Sequence, residues 1–206
     1  MSQTALSLVE GGHFDQMPLR RVRQVARALG AELQVTVRWR GGDLDRLMDE
    51  GHAALAGAVT QWLERRGWVV RSEVTYSVYG ERGSIDLMAW HGATRTLLVV
   101  EIKTELTSIE ETLRRHDAKT RLASGIASEG QGWRPNGVAR LLVLPNAPTA
   151  RRRVSRHEPV LGRAYPLRST GVRDWVRAPH GAPSGLVFVS TERHDRVVTR
   201  KRVRPC

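Results

Sequence analysis

The sequence predicts a mixed α/β (α+β) protein: one mixed β-sheet flanked by helices, with a small helical segment in front. Three observations predict it. Apolar residues recur with a helical period as far as residue 66, then change to short runs separated by glycine-containing turns, and then alternate between helix and strand. The 206 residues suffice for a sizeable core. A hydrophobic fraction of 40% with only nine prolines belongs to a folded globular chain.

The first element is read from "SQTALSLVEGG", where Ser2 is the N-cap, Ala5, Leu8 and Val9 form an apolar face, and Gly11-Gly12 stops the helix. In "MPLRRVRQVARALGAEL", Pro18 suits a first turn, Leu19, Val22, Val25, Ala26 and Leu29 line one face, and Gly30 ends the helix. "LQVTVRW" reads as a short strand, and "GGDLDRL" as a linker into a long helix over 44–66 with Leu47, Leu55, Val59, Trp62 and Leu63 inward. After Gly67, "WVVRSEVTYSVYG", "GSIDLMAWH" and "TLLVVEIKT" read as three strands. "TSIEETLRRHDAKTRLASGIA" opens with a capping box and is helical. "VARLLVLPN" is a buried strand, "TARRRVSRHEPVL" a helix, "STGVRDWVRA" a short helix and "SGLVFVS" a last strand. The expected domains are a helical segment at 1–40, a main domain at 44–192 and a basic tail at 193–206.

No run approaches the roughly 18 apolar residues of a membrane span, and the first thirty residues lack a secretory apolar core. A cytoplasmic protein without membrane association is expected. Its one cysteine, Cys206, excludes a disulfide within the chain and a cysteine-based metal site. The net charge is +12, and +10 of it lies from Ala147 onward, where 13 Arg and one Lys face Glu158, Asp174, Glu192 and Asp195. Thirty of the 33 basic residues are Arg, which favours bidentate phosphate contact. Nucleic acid is the expected partner.

One stretch, "GSIDLMAWHGATRTLLVVEIKT" (83–104), places charges where a core belongs. Leu97 to Val100 reads as a strand buried on both faces, yet runs into Glu101 and Lys103, and Asp86 interrupts another apolar run. Glu101 and Lys103 share a strand face. With "GATR" (92–95) as a four-residue hairpin loop, or with a two-residue loop at 93–94, Asp86 lies directly opposite Glu101. An odd-length loop would set the two carboxylates on opposite faces. Opposed carboxylates repel, unless a cation sits between them. Mg²⁺, or Mn²⁺, tolerates two protein carboxylates plus water. Lys103 can then orient a water or stabilise charge on a phosphate. The competing reading is a local ion pair at a strand end, although burying such charges without a purpose is expensive.

With "SID" at 84–86, "EIK" at 101–103, the preceding helix ending in "LERRGW" and the following helix and strand, residues 50–146 resemble the PD-(D/E)XK nuclease superfamily of restriction endonucleases and Holliday-junction resolvases. The resemblance implies a restriction-endonuclease-like fold, Asp86 and Glu101 as metal ligands, and Lys103 as the catalytic lysine. Ile85 stands where the superfamily motif has proline. Many members add a glutamate from the first helix. Glu50 is the candidate, with His52 beside it; the alternative is a first-turn acid favoured by the helix dipole. Glu81 and Arg82 of "YGERG" are placed to reach the site or a phosphate, or form a polar hairpin tip. Lys119 and Arg121 are candidate DNA contacts or part of a solvated helix face, and Arg151, Arg152 and Arg153 are candidate phosphate contacts. The six tryptophans are expected in packing roles.

The first thirty residues resemble the second half of an Xre/Cro-type helix-turn-helix, on Ser2, Ser7, Val9, Glu10 and Gly12 and on Ala26, Ala28, Leu29 and Gly30. Gln3, Thr4 and Ser7 would face the DNA groove. The first two helices of that domain are absent from the sequence, so either its start is truncated or the half-domain does not bind DNA by itself; the alternative is a pair of helices that pack on the main domain. The leading expectation is a Mg²⁺-dependent endodeoxyribonuclease acting on DNA, with a homodimer as the candidate assembly. The alternative is an Xre-type transcriptional regulator or DNA binder whose nuclease-like domain is not catalytic.

Overall fold

The computed structural model describes residues 18–31, 33, 42–78 and 80–191, and of residues 42–48 the backbone only. The chain divides into two units, residues 1–42 and 43–206. In the first, helix α1 (Leu19–Ala28) follows Pro18 and ends before Gly30, whose φ of 69° is the left-handed conformation that glycine adopts without cost. The helix expected at 2–9, with Gln3, Thr4 and Ser7, and most of the strand expected in "LQVTVRW" lie outside the described residues.

The second unit is a five-stranded mixed sheet of order β1-β2-β3-β4-β5. The strands are β1 (Val69–Val78), β2 (Glu81–His91), β3 (Thr96–Ile102), β4 (Gly137–Pro145) and β5 (Ser184–Val189). Helix α2 (Gly42–Glu64) precedes them and α3 (Ile109–Gln131) joins β3 to β4. Helices α4 (Pro148–Arg156), α5 (Glu158–Ala164) and α6 (Ser169–Arg177) join β4 to β5. β1, β2 and β3 pair antiparallel, whereas β3, β4 and β5 pair parallel, the geometry that helical crossovers allow. This mixed architecture is consistent with the restriction-endonuclease-like α+β fold expected from the sequence.

One face of the sheet (Leu87, Ala89, Leu98, Val100) packs with Leu55, Val59 and Leu63 of α2 and Val172, Trp175 and Val176 of α6. On the other, Ile85, Met88, Leu97 and Val99 pack with Ala123 and Ala127 of α3, and Leu142 and Leu144 with Val154, Leu161 and Tyr165 from α4 to just past α5. The cap of α3 is Ser108, whose hydroxyl accepts from Glu111 N at 3.3 Å. The single helix expected over 149–161 is two helices broken at His157. Pro159 has no N–H to continue the helical ladder and suits the first turn of a new helix. Trp68 and Trp175 are buried in the core, and Trp90 stacks on Trp133 with ring centroids 5.9 Å apart. No helix among the described residues is long and apolar enough to cross a membrane.

Candidate active site

The turn after β2 decides the geometry. Residues 92–95 form a four-residue turn in which Arg95, at φ 51°, donates its N–H back to Gly92 O. The β2–β3 register runs from His91↔Thr96 to Leu87↔Val100, and one step further sets Asp86 against Glu101. The backbone ladder stops short of that step. Asp86 instead takes the next amide with its side chain, Oδ2 accepting from Ile102 N at 2.7 Å. On its other side the β1–β2 ladder also skips Asp86, between Ser72↔Leu87 and Val74↔Ile85, where Glu73 adopts a left-handed φ of 50°. Both backbone ladders are thus interrupted at the residue whose carboxylate takes over the pairing. Glu101 continues the Leu97–Val99 side of β3 and so faces α3.

Four charged side chains meet there. Lys119, from α3, places Nζ 3.1 Å from Asp86 Oδ1 and 2.5 Å from Glu101 Oε2. Lys103 Nζ lies 2.8 Å from Glu101 Oε1. Glu101 is 1% exposed and Lys119 8%. Burial pushes the Glu101 carboxyl up, but Lys119 and Lys103 outweigh it and hold the group below its ordinary 4.5. For Lys119, burial favours the neutral amine, yet Glu101 and Asp86 overcome it and raise the pKa above 10.5. Both shifts favour the charged forms of Glu101 and Lys119.

Behind it lies a neutral polar pair. His116, one turn before Lys119, donates from Nε2 to Val99 O at 3.3 Å, and its Nδ1 accepts from the Tyr165 hydroxyl at 2.8 Å. Burial lowers the His116 pKa from 6.5 to about 4 and raises that of Tyr165. The pair therefore ties α3 to β3 without adding charge next to Glu101.

Asp86, Glu101, Lys103 and Lys119 line one groove of about 1090 Å³. Arg82, Arg114 and Arg121 line it as well; Arg121 is bonded to Glu81 at 2.7 Å. The α2 side is lined by Asp49 and His52, and Glu50 is not among the lining residues. Lys119, expected to point outward to DNA, points inward to the carboxylates instead. Arg151, Arg152 and Arg153 do not form one surface. Arg151 lies over the Phe188 ring at 4.4 Å, Arg153 donates to Thr107 O at 2.6 Å, and Arg152 lines a second groove with Arg153 and Arg156.

The helix spacing held the signal for Lys119. Thr112, His116, Lys119, Ala123 and Ala127 recur at steps of four, three, four and four and form the buried stripe of α3. A lysine on such a stripe needs a buried partner.

In kind, the donors suit a hard divalent cation, because two carboxylates offering oxygen only converge on a point where a positive charge already sits. In number they are few. Among the described residues no cluster of three His, Cys, Asp or Glu side chains is placed to hold a metal, so water and substrate would have to complete the shell.

No family model matches the chain, and no curated protein does. One solved structure to which it is similar is a repair endonuclease from Pyrococcus abyssi, at 13% identity and a TM-score of 0.29. That likeness covers 60% of this chain and 46% of the other, so the chain spans less than half the endonuclease. A likeness of this size decides nothing about the activity.

Proposed function

We propose that the groove is the active site of a divalent-cation-dependent nuclease that hydrolyses DNA phosphodiester bonds. The observation that carries this reading is the convergence of Asp86, Glu101 and Lys103 at the end of β3, on a groove lined by Arg82, Arg114 and Arg121. Asp86 and Glu101 would hold Mg²⁺ or Mn²⁺, which when bound lowers the pKa of water and stabilises negative charge on phosphate. Lys103, with a side chain 30% exposed, is placed to orient the attacking water and to meet charge developing on the phosphoryl oxygens. The groove arginines hold the flanking phosphates by charge-assisted hydrogen bonds. The net charge of +12 draws the polyanion in, by a contribution that salt weakens.

A second reading, DNA binding without cleavage, is favoured by the charge balance at the site: two carboxylates already face two ammonium groups. Plasmid, branched and single-stranded DNA incubated with Mg²⁺ or Mn²⁺ separate the two. Cleavage is expected from the wild type and should fall on the order of 10²–10³-fold in Asp86→Ala and in Lys103→Ala. Salt-sensitive binding with no cleavage under any metal would sink the nuclease reading and leave the binder.

A further inference from the structure

The chain places lysine at only three of its 33 basic positions, Lys103, Lys119 and Lys201, and two of these three meet at Glu101. Arginine is the default cation of this protein, so the places that keep lysine ask for something a guanidinium lacks. Lysine offers a compact point charge on a flexible stem, whereas the arginine fork tends to lock onto carboxylates bidentately. Lys119 bridges both carboxylates at 3.1 and 2.5 Å. Its backbone cannot follow its side chain, because the neighbouring turn of α3 is tied down through His116 to Val99 O and the Tyr165 hydroxyl. The side chain does have somewhere to go, since Lys119 itself lines the groove beside Ala118 and Arg121.

We propose that Lys119 is an exchangeable internal counter-cation, occupying the point between Asp86 and Glu101 that a divalent cation takes and swinging into the groove when that cation binds. The inference rests on the reading that Asp86 and Glu101 hold the metal. In the structure, the two carboxylates and two ammonium groups sum to zero charge. Exchange would leave a site of net positive charge with both ammonium groups directed at the groove, so cation uptake itself prepares the site for a phosphate. Without a metal, the buried carboxylates stay paired, which avoids the cost of leaving two like charges face to face.

Two measurements test the exchange. The first is calorimetric titration of Mn²⁺ into the wild type and into Lys119→Met, which keeps the stem and loses the charge. The variant is expected to bind Mn²⁺ at least tenfold more tightly, and adding Asp86→Asn should abolish the gain. The second uses wild-type protein only, so it stands even if Lys119→Met does not fold. Trace acylation of the lysines, read by peptide mass spectrometry, should label Lys119 several-fold more with Mn²⁺ than without it, relative to Lys201. Mn²⁺ binding with unchanged Lys119 labelling would overturn the exchange and leave the metal reading standing, as would equal affinity in Lys119→Met. Absence of any Asp86-dependent Mn²⁺ binding would overturn both.

Discussion

The two faces of the sheet solve the burial problem differently. Under α2 and α6 the contacts are Leu, Ile, Val, Ala and Trp, and the indole N–H groups of Trp68 and Trp175 each donate to a backbone carbonyl, of Val176 and His180. Under α3 the same kind of surface begins with Ala123 and Ala127, but one turn further toward the helix start it carries Lys119, then His116, then Thr112. The polar half survives because its pairing is complete. The buried side-chain atoms without a partner among the described residues, Arg66 Nε, Arg153 Nε and Arg168 Nη1, all lie elsewhere. An apolar cluster of similar volume would generally be as stable or more so. The difference teaches that the stability of the fold does not by itself call for charges under α3.

The comparison breaks first on the apolar side. Leu63→Ala, at a fully buried position, should cost about 2–5 kcal/mol in chemical denaturation. A loss below about 1 kcal/mol would mean that this face is loosely packed and the contrast is false. Next comes the polar side and pH. With His116 held down to about 4 by burial, the folded protein keeps a neutral ring while the unfolded chain takes up a proton from about pH 6.5 downward. The unfolded state therefore binds more protons between those values. Stability is fully present above pH 6.5 and falls as pH drops toward 4, by about 3 kcal/mol in all. Glu101, whose folded pKa is lowered from 4.5, adds a loss only below that value. His116→Gln retains a donor for Val99 O and an acceptor for Tyr165, so its stability should stay nearly flat between pH 6.5 and 4.5; an unchanged slope would assign the titration to another group. The smallest effect belongs to an exposed ion pair on α3. There the Glu111–Arg115 pair is solvent-exposed, and Arg115→Ala should cost no more than about 0.5 kcal/mol in thermal unfolding.

Much of this architecture is legible in the sequence, because periodicity changes where the chain changes element. The even-length turn at Gly92–Arg95 is the clearest instance: loop parity alone decides that Asp86 and Glu101 share a face. What was not legible has physical reasons. The outward reading of Lys119 follows from charge and not from its place on the Thr112–Ala127 stripe. Tyr165 meets His116 across 49 residues, a contact no local pattern encodes. Glu50 is the candidate because the resemblance implies a glutamate from the first helix, whereas Asp49 and His52 are the α2 residues that line the groove. His52, three residues before buried Leu55, shares that residue's side of the helix, and this was the available clue. The break at His157 was written in Pro159 and outweighed by the apolar spacing around it.

The strand order also sets a timetable. β1–β2 and β2–β3 pair neighbours in sequence across short turns, whereas β3–β4 and β4–β5 wait for helical crossovers. Contacts local in sequence cost less loop-closure entropy and tend to form early. If the β2–β3 hairpin closes before α3 docks and delivers Lys119, Asp86 and Glu101 repel each other in that interval. The folding barrier would then carry part of that electrostatic cost. On this account Asp86→Asn should refold faster than the wild type in stopped-flow experiments, and equal rates would show that α3 docks before the hairpin closes.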